Sequence, residues 1–227
     1  MVVAATLLFG SLARGDHSEG SDTDLLLINL GNDTRHVSIG RLSLFLYPWR
    51  QLEQDARDGD LFVCHLVHEA RSLIDPDSYL PKLRGAFEFR STYKDEITRA
   101  TDFGWYLVRF GNELNSQLLT KRALWCVRTI LIARSAERRD PVFAPQRLAE
   151  QTESASARDL LSNRRRRNDE AIVRESLRQF LASEVPDQRV LEDADRDAFM
   201  TKFAATSNNV ALQTLRQEEK GQASYLG

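Results

Sequence analysis

Two apolar runs near the start of the chain are joined by a polar loop, and the residues at the junctions constrain the fold most. Val2–Phe9 runs directly into Gly10-Ser11, and the second run, Asp24–Leu30, opens on Ser21-Asp22-Thr23-Asp24. Short aliphatic runs bounded by Gly, Ser and Asn read as buried strands. A strand ending in Gly-Ser lets the backbone approach a phosphate closely, because glycine removes the side-chain obstacle and serine adds a hydroxyl donor. A helix starting there would add free N–H groups. Asp22 and Asp24 are separated by one residue, so strand alternation sends both carboxylates to one face. Mg²⁺ takes one or two carboxylates together with phosphate oxygens and water. The pattern therefore suits a triphosphate and a divalent ion.

The 227 residues suffice for one large domain or two small ones. With a net charge of −2 the chain as a whole is no electrostatic nucleic-acid binder, and any basic site must be local. Both cysteines, Cys64 and Cys126, lie in apolar segments and read as buried free thiols. No run is long and apolar enough to span a membrane. The N-terminal run is short, lacks a charged leader and meets Gly-Ser at once, unlike a signal peptide, so the expected location is cytoplasmic.

The expected fold class is α+β: a small strand-rich domain followed by an all-helical one. Further strands are expected at His36–Ile39 and Leu42–Tyr47, and helical segments between Trp49 and Leu73 with a break near Asp58-Gly59-Asp60. Asp60 is placed to cap the second of these. Asp75-Pro76-Asp77 and Pro81 mark a boundary. Helices are expected at Tyr93–Leu114, Ser116–Arg138, Pro145–Glu153, Ser156–Ser162, Asp169–Ser183, Val190–Ala205 and Asn209–Lys220, with Pro186 a break and Gly221–Gly227 a mobile tail. The domains expected are 1–82, the helical bundle 83–185, and C-terminal helices with the tail, 186–227.

Gly10-Ser11-Leu12-Ala13-Arg14-Gly15, followed by Ser21-Asp22-Thr23-Asp24-Leu25, resembles the signature of the DNA polymerase β-like nucleotidyltransferase superfamily, closest to its minimal (MNT-type) branch. The resemblance covers about the first eighty residues and is densest over Phe9–Ile28. It implies a small mixed-sheet nucleotidyltransferase domain, and transfer of a nucleoside monophosphate from a nucleoside triphosphate with release of pyrophosphate. Gly10 and Ser11 would hold the β- and γ-phosphates, and Arg14 of the same motif would contact the nucleotide. Asp22 and Asp24 would be catalytic and bind Mg²⁺ or Mn²⁺. The acceptor hydroxyl would belong to a protein side chain, an RNA end or another nucleotide. Relatives with this layout often act in toxin–antitoxin pairs or anti-phage defence, which would add a cognate partner protein.

The chain departs from the family in one respect. The family usually has a third carboxylate on a following strand. The matching strand, Arg41–Tyr47, contains no Asp or Glu, and Ser43 is the polar residue nearest the place. Three readings stay open: the carboxylate comes from Asp55, Asp58, Asp60 or Glu69; two carboxylates suffice; or the chain binds nucleotide without turnover, as an antitoxin-like or scaffold subunit. A small-molecule transferase of the aminoglycoside type is a further alternative.

Elsewhere the signals are weaker. Lys121, with Arg122, either contacts the triphosphate or lies on a solvated helix face. Asn163-Arg164-Arg165-Arg166-Arg167-Asn168 either binds phosphates of an RNA acceptor or is a solvated connection; no aromatic residue interleaves, which favours the latter. His65 and His68 are one turn apart but lack a third zinc ligand, so a packed helix is favoured. Phe103, Trp105, Tyr106, Phe110 and Trp125 fall at helical spacings and read as core. Tyr225 near the C-terminus is a candidate self-modification site. The apolar helices from Phe103 to Ile132 leave room for a homodimer interface.

Overall fold

A computed structural model describes residues 2–17, 19–162, 169–186, 191 and 193–225. The chain divides into two compact units, one of Met1–Thr92 with Ala136–Ala144 and one of Tyr93–Ser135 with Pro145–Gly227. The first unit runs past residue 82, because Phe87 and Phe89 pack against His68, at 6.1 and 5.8 Å between ring centroids. Residues 186–227 belong to the second unit and form no unit of their own.

The first unit is built on β1 (Val3–Phe9), β2 (Thr23–Asn29), β3 (Arg35–Ile39), β4 (Leu42–Pro48) and β5 (Arg71–Ile74). They form one mixed sheet in the order β3-β4-β2-β1-β5. The β2/β4 pair is parallel and the others antiparallel. The two runs that open the sequence are the two central strands, and their alternation shows which face is covered. Ala5, Leu7, Phe9, Leu26 and Ile28 are buried, whereas Thr6, Leu8, Leu25 and Leu27 on the other face are half-buried. Four helices belong to this unit: α1 (Gly10–Arg14), α2 (Trp49–Arg57), α3 (Leu61–Glu69) and α4 (Tyr79–Ala86). Leu52, Ala56, Val63, Leu66, Leu80 and Leu83 from the last three complete the core. Asp60 caps α3 as expected, accepting from the N–H groups of Phe62 and Val63 at 2.8 and 3.1 Å.

Two elements were not anticipated. The helical segment ends at Glu69, and Arg71–Ile74 is an edge strand. The Arg84 guanidinium donates to the Val67 and Ala70 carbonyls at 2.9 and 3.0 Å, occupying the acceptors that the end of α3 leaves open. Helix α4 runs through Pro81. Its first turn is held by the Asp75 carboxylate, which accepts from Tyr79 and Leu80 N–H at 2.7 and 3.0 Å. A proline in that turn gives up no helical hydrogen bond.

The second unit is helical: α5 (Lys94–Phe110), most of α6 (Ser116–Glu137), α7 (Pro145–Gln151), α8 (Ala155–Ser162), α9 (Glu170–Glu184), α10 (Arg196–Ala205) and α11 (Asn209–Tyr225). Phe103, Trp105 and Tyr106 are core as expected, at most 1% exposed; Phe103 packs edge-on with Phe203 of α10, and Tyr106 with both Phe199 and Phe203. A Cβ on Gly104 would lie 2.8 Å from Leu181 Cδ1, so the glycine lets α5 and α9 approach closely. Helix α11 continues to Tyr225, past the end of the apolar period at Lys220. Among the described residues, no helix is long and apolar enough to cross a membrane.

Candidate active site

The site is assembled by the register of the first three strands. Phe9 pairs with Asp24 across β1/β2. The next residue, Gly10, has φ +74°, a backbone conformation that L side chains rarely adopt. A Cβ at Gly10 would lie 2.5 Å from Asp24 Oδ2, so the Asp24 carboxylate occupies the space that the missing side chain leaves. Gly15, at φ +83°, closes α1 in the left-handed conformation, and its N–H donates to Ser11 O at 3.0 Å. The two glycines thus hold Ser11 in a short helical turn beside Asp24. Asp22 lies two residues before Asp24 and is exposed.

On the other side of Asp24, the parallel pairing places Ser43 of β4 directly alongside it. Ser43 in turn pairs with Ser38 of β3. The expected place for a third carboxylate therefore holds a hydroxyl, and the next strand repeats it. The alternative sources lie elsewhere. Asp55 and Asp60 act on Tyr47, raising its pKa further after burial has done so. Tyr47 is four positions along β4 from Ser43, about 13 Å away at the usual strand rise. Asp58 accepts from Gln54 Nε2 at 3.0 Å. Glu69 is held by other partners: its Oε2 accepts from Arg14 Nη1 at 2.5 Å and lies 2.6 Å from His65 Nε2. Among the described residues, no three of His, Cys, Asp or Glu gather as a metal cluster. The Asp24 carboxylate over the Gly10 backbone is a donor of the kind Mg²⁺ takes, since that ion binds one or two carboxylates and completes its shell from phosphate oxygens and water.

Arg14 has a different setting from the one expected of a nucleotide contact. Its Nε also donates to both oxygens of Asp16 at 3.1 Å. Burial opposes its charge, but Asp16 and Glu69 outweigh that and raise its pKa above the ordinary arginine value. His65 is stacked on Phe143, with ring centroids 4.6 Å apart. His68 Nδ1 lies 2.8 Å from Cys64 O, so both histidine rings are engaged in packing and hydrogen-bond contacts. Both cysteines are free and buried, and burial pushes the Cys64 thiol up to about 12 and the Cys126 thiol higher still.

Gly10 and Asp24 thus come together in the first unit with Ser11 on the adjoining turn, and Asp22 is an exposed residue just ahead of β2. Lys121 belongs to the other unit, exposed on α6, and its neighbour Arg122 is buried and donates to Gln217 Oε1 at 3.3 Å. The arginine run at 164–167 lies outside the described residues. The reading of the sequence overlooked Ser38 and the Arg14–Glu69–His65 cluster. Strand alternation on His36–Ile39 carried a signal for the first, and nothing local carried one for the second.

Strand β1 thus runs into a left-handed glycine set against an aspartate of the next strand in a mixed sheet. Residues 2–60 match the family model described as a nucleotidyltransferase domain. That match covers about a quarter of the chain and takes in β1, α1, β2, β3, β4 and α2. The chain is also similar to the solved structure of a nucleotidyltransferase-like protein from Exiguobacterium sibiricum. The two are 15% identical, the match covers 95% of this chain and 86% of that one, and the TM-score is 0.36. No curated relative matches the sequence.

Proposed function

We propose that the chain is a divalent-metal-dependent nucleotidyltransferase that moves a nucleoside monophosphate from an NTP or dNTP to an acceptor hydroxyl. The observation that carries this reading is the apposition of Gly10 and Asp24, in which the carboxylate fills the space above a left-handed glycine. Such a junction serves a ligand that must touch backbone N–H and a metal-bearing carboxylate at once. Gly10 and Ser11 orient the β- and γ-phosphates. Asp22 and Asp24 hold Mg²⁺ or Mn²⁺, which would supply charge neutralisation at the attacking and leaving oxygens. The acceptor oxygen bonds to the α-phosphorus, the bond to the bridging oxygen breaks with its electron pair leaving on pyrophosphate, and the hydroxyl proton passes to water. Arg14, already paired with Asp16 and Glu69, holds the α1 turn in place and leaves the triphosphate to Gly10 and Ser11. A role in a toxin–antitoxin pair or anti-phage defence, with a cognate partner, is the setting that the resemblance supports.

The test is transfer of labelled NTPs and dNTPs with Mg²⁺ or Mn²⁺ to the protein itself, to tRNA and to oligonucleotides. Transfer that is lost in the Asp22→Ala/Asp24→Ala double variant supports the reading. No transfer to any acceptor, or transfer that survives the double variant, refutes it. Ser43 beside Asp24 favours a second reading, a nucleotide-binding subunit without turnover. Metal-dependent NTP binding with no transfer would establish that one.

A further inference from the structure

We infer that the sheet surface across β4 and β3 is the acceptor subsite and that it takes a nucleoside, with the base stacked on His36 and the sugar over Ser43 and Ser38. The inference rests on the transferase reading above. Register supplies the floor. Asp24, Ser43 and Ser38 are successive partners across three strands, so their side chains share one face at intervals of about 4.8 Å. Two residues along β4, Phe45 pairs with His36 of β3, and their rings stack at 4.2 Å with 18° between planes. Phe45 is wedged from below by Phe9 and Phe62, at 5.3 and 5.8 Å. His36 is exposed, and its Nε2 lies 3.4 Å from Ser38 Oγ. The result is a rigid aromatic ledge beside two hydroxyls.

Stereochemistry supplies the direction. In an in-line displacement the attacking oxygen approaches from the side opposite the leaving pyrophosphate. Gly10 and Ser11 follow β1 and lie on the β1 side of Asp24, whereas β4 and β3 lie on the other side. A triphosphate tail over Gly10 and Ser11 therefore brings the acceptor in over Ser43 and Ser38. A serine or threonine of a protein acceptor has no ring to lay on the ledge, and a tyrosine has a ring but no second hydroxyl for the serine pair. A nucleoside uses both, because base stacking on a ring is tolerant of base identity and its sugar hydroxyls pair with serine oxygens.

The experiment uses the full chain with Mg²⁺ and a saturating mixture of the four α,β-methylene nucleoside triphosphates, which cannot react. Binding of AMP, GMP, CMP and UMP is then compared with that of ribose 5-phosphate, which lacks the base, by calorimetry. The nucleotides are expected to bind at least about fivefold more tightly than the sugar phosphate. His36→Ala should remove that advantage, His36→Tyr should keep it, and neither should change the melting temperature. The dinucleotide ApA, compared with AMP, separates an RNA end from a free nucleotide as the source. Equal binding of ribose 5-phosphate, an unchanged advantage in His36→Ala, or displacement of the monophosphates by the triphosphate analogues overturns the subsite. If the analogues themselves do not bind with Mg²⁺, the transferase reading falls and the subsite with it. If they bind and no base-dependent gain appears, the subsite alone falls.

Discussion

Ser43→Asp places a carboxylate directly alongside Asp24, and its effect can be worked out from the register. Paired positions on adjacent strands bring two such charges to about 5 Å. Two like charges at about 5 Å repel by roughly 0.8 kcal/mol in bulk water and by about 3 kcal/mol at the effective dielectric near a protein surface. Ser43 is half-buried, so the upper part of that range applies. At about 2–3 kcal/mol, the variant without metal should melt lower than the parent by about 8–24 °C, on the scaling for a unit of about 100 residues. Millimolar Mg²⁺ should return most of that loss, because the repelling pair becomes a metal site. Ser43→Asn has the same shape without the charge and should show neither effect. If the two-carboxylate site limits turnover, the new carboxylate should raise the transfer rate by about 10²-fold, the low end for a positioned base. The assay is a melt with and without Mg²⁺, followed by the labelled-nucleotide transfer rate. If Ser43→Asp melts like the parent in chelator and gains no more from Mg²⁺ than the parent does, Ser43 does not face the Asp24 carboxylate and the site geometry is refuted.

Gly10→Ala forces a Cβ to within 2.5 Å of Asp24 Oδ2 at φ +74°. The left-handed backbone alone costs about 1–2 kcal/mol, so a lower denaturation midpoint together with loss of metal-dependent nucleotide binding is expected; unchanged binding would contradict the apposition. Asp102, on α5, is 5% exposed, and its Oδ2 has no hydrogen-bond partner. Burial, partly offset by Lys202, raises its pKa from 3.8 to about 6. The folded state then binds more protons than the unfolded state at this group between those values, so the contribution of Asp102 to stability is most favourable below about pH 4 and falls as pH rises to about 6, by up to about 3 kcal/mol. Asp102→Asn should flatten that fall in urea titrations across pH 4–7, and a persisting slope would assign it to another group. Glu69→Ala removes a shared partner from Arg14 and His65 and should lower stability by about 1.5–3 kcal/mol, whereas Glu69→Gln should lose less; equal losses in the two would show that the hydrogen bonds contribute nothing.

The elements that build the site were legible because their signals are local. Apolar runs ending in Gly-Ser and opening on Asp-x-Asp specify two neighbouring strands. A strand free of acidic residues from Arg41 to Tyr47 announces the missing carboxylate, and the register places Ser43 at the expected position beside Asp24. What escaped is what has no period. Strand β5 has four exposed residues at a sheet edge, so burial imposes no alternation on it. Helix α4 hid behind Pro81, whose position in the first turn makes it harmless. The Arg14–Glu69 pair joins residues 55 positions apart, and no local pattern encodes such a contact. The motif that holds Arg14 contains neither of its partners: Asp16 follows the α1 turn and Glu69 ends α3.

The stacking of Phe143 on His65 has a consequence for how the protein is made. The sheet-bearing unit is not contiguous in sequence: its last stretch, Ala136–Ala144, follows more than forty residues that belong to the other unit. A ribosome adds about 5–20 residues each second. The sheet-bearing unit therefore emerges as far as Thr92 with the face of His65 that will meet Phe143 uncovered, and waits about 3–10 s for the chain to return. During that interval a nascent chain, or a fragment cut after Thr92, holds the Gly10–Asp24 junction without the ring that later covers His65.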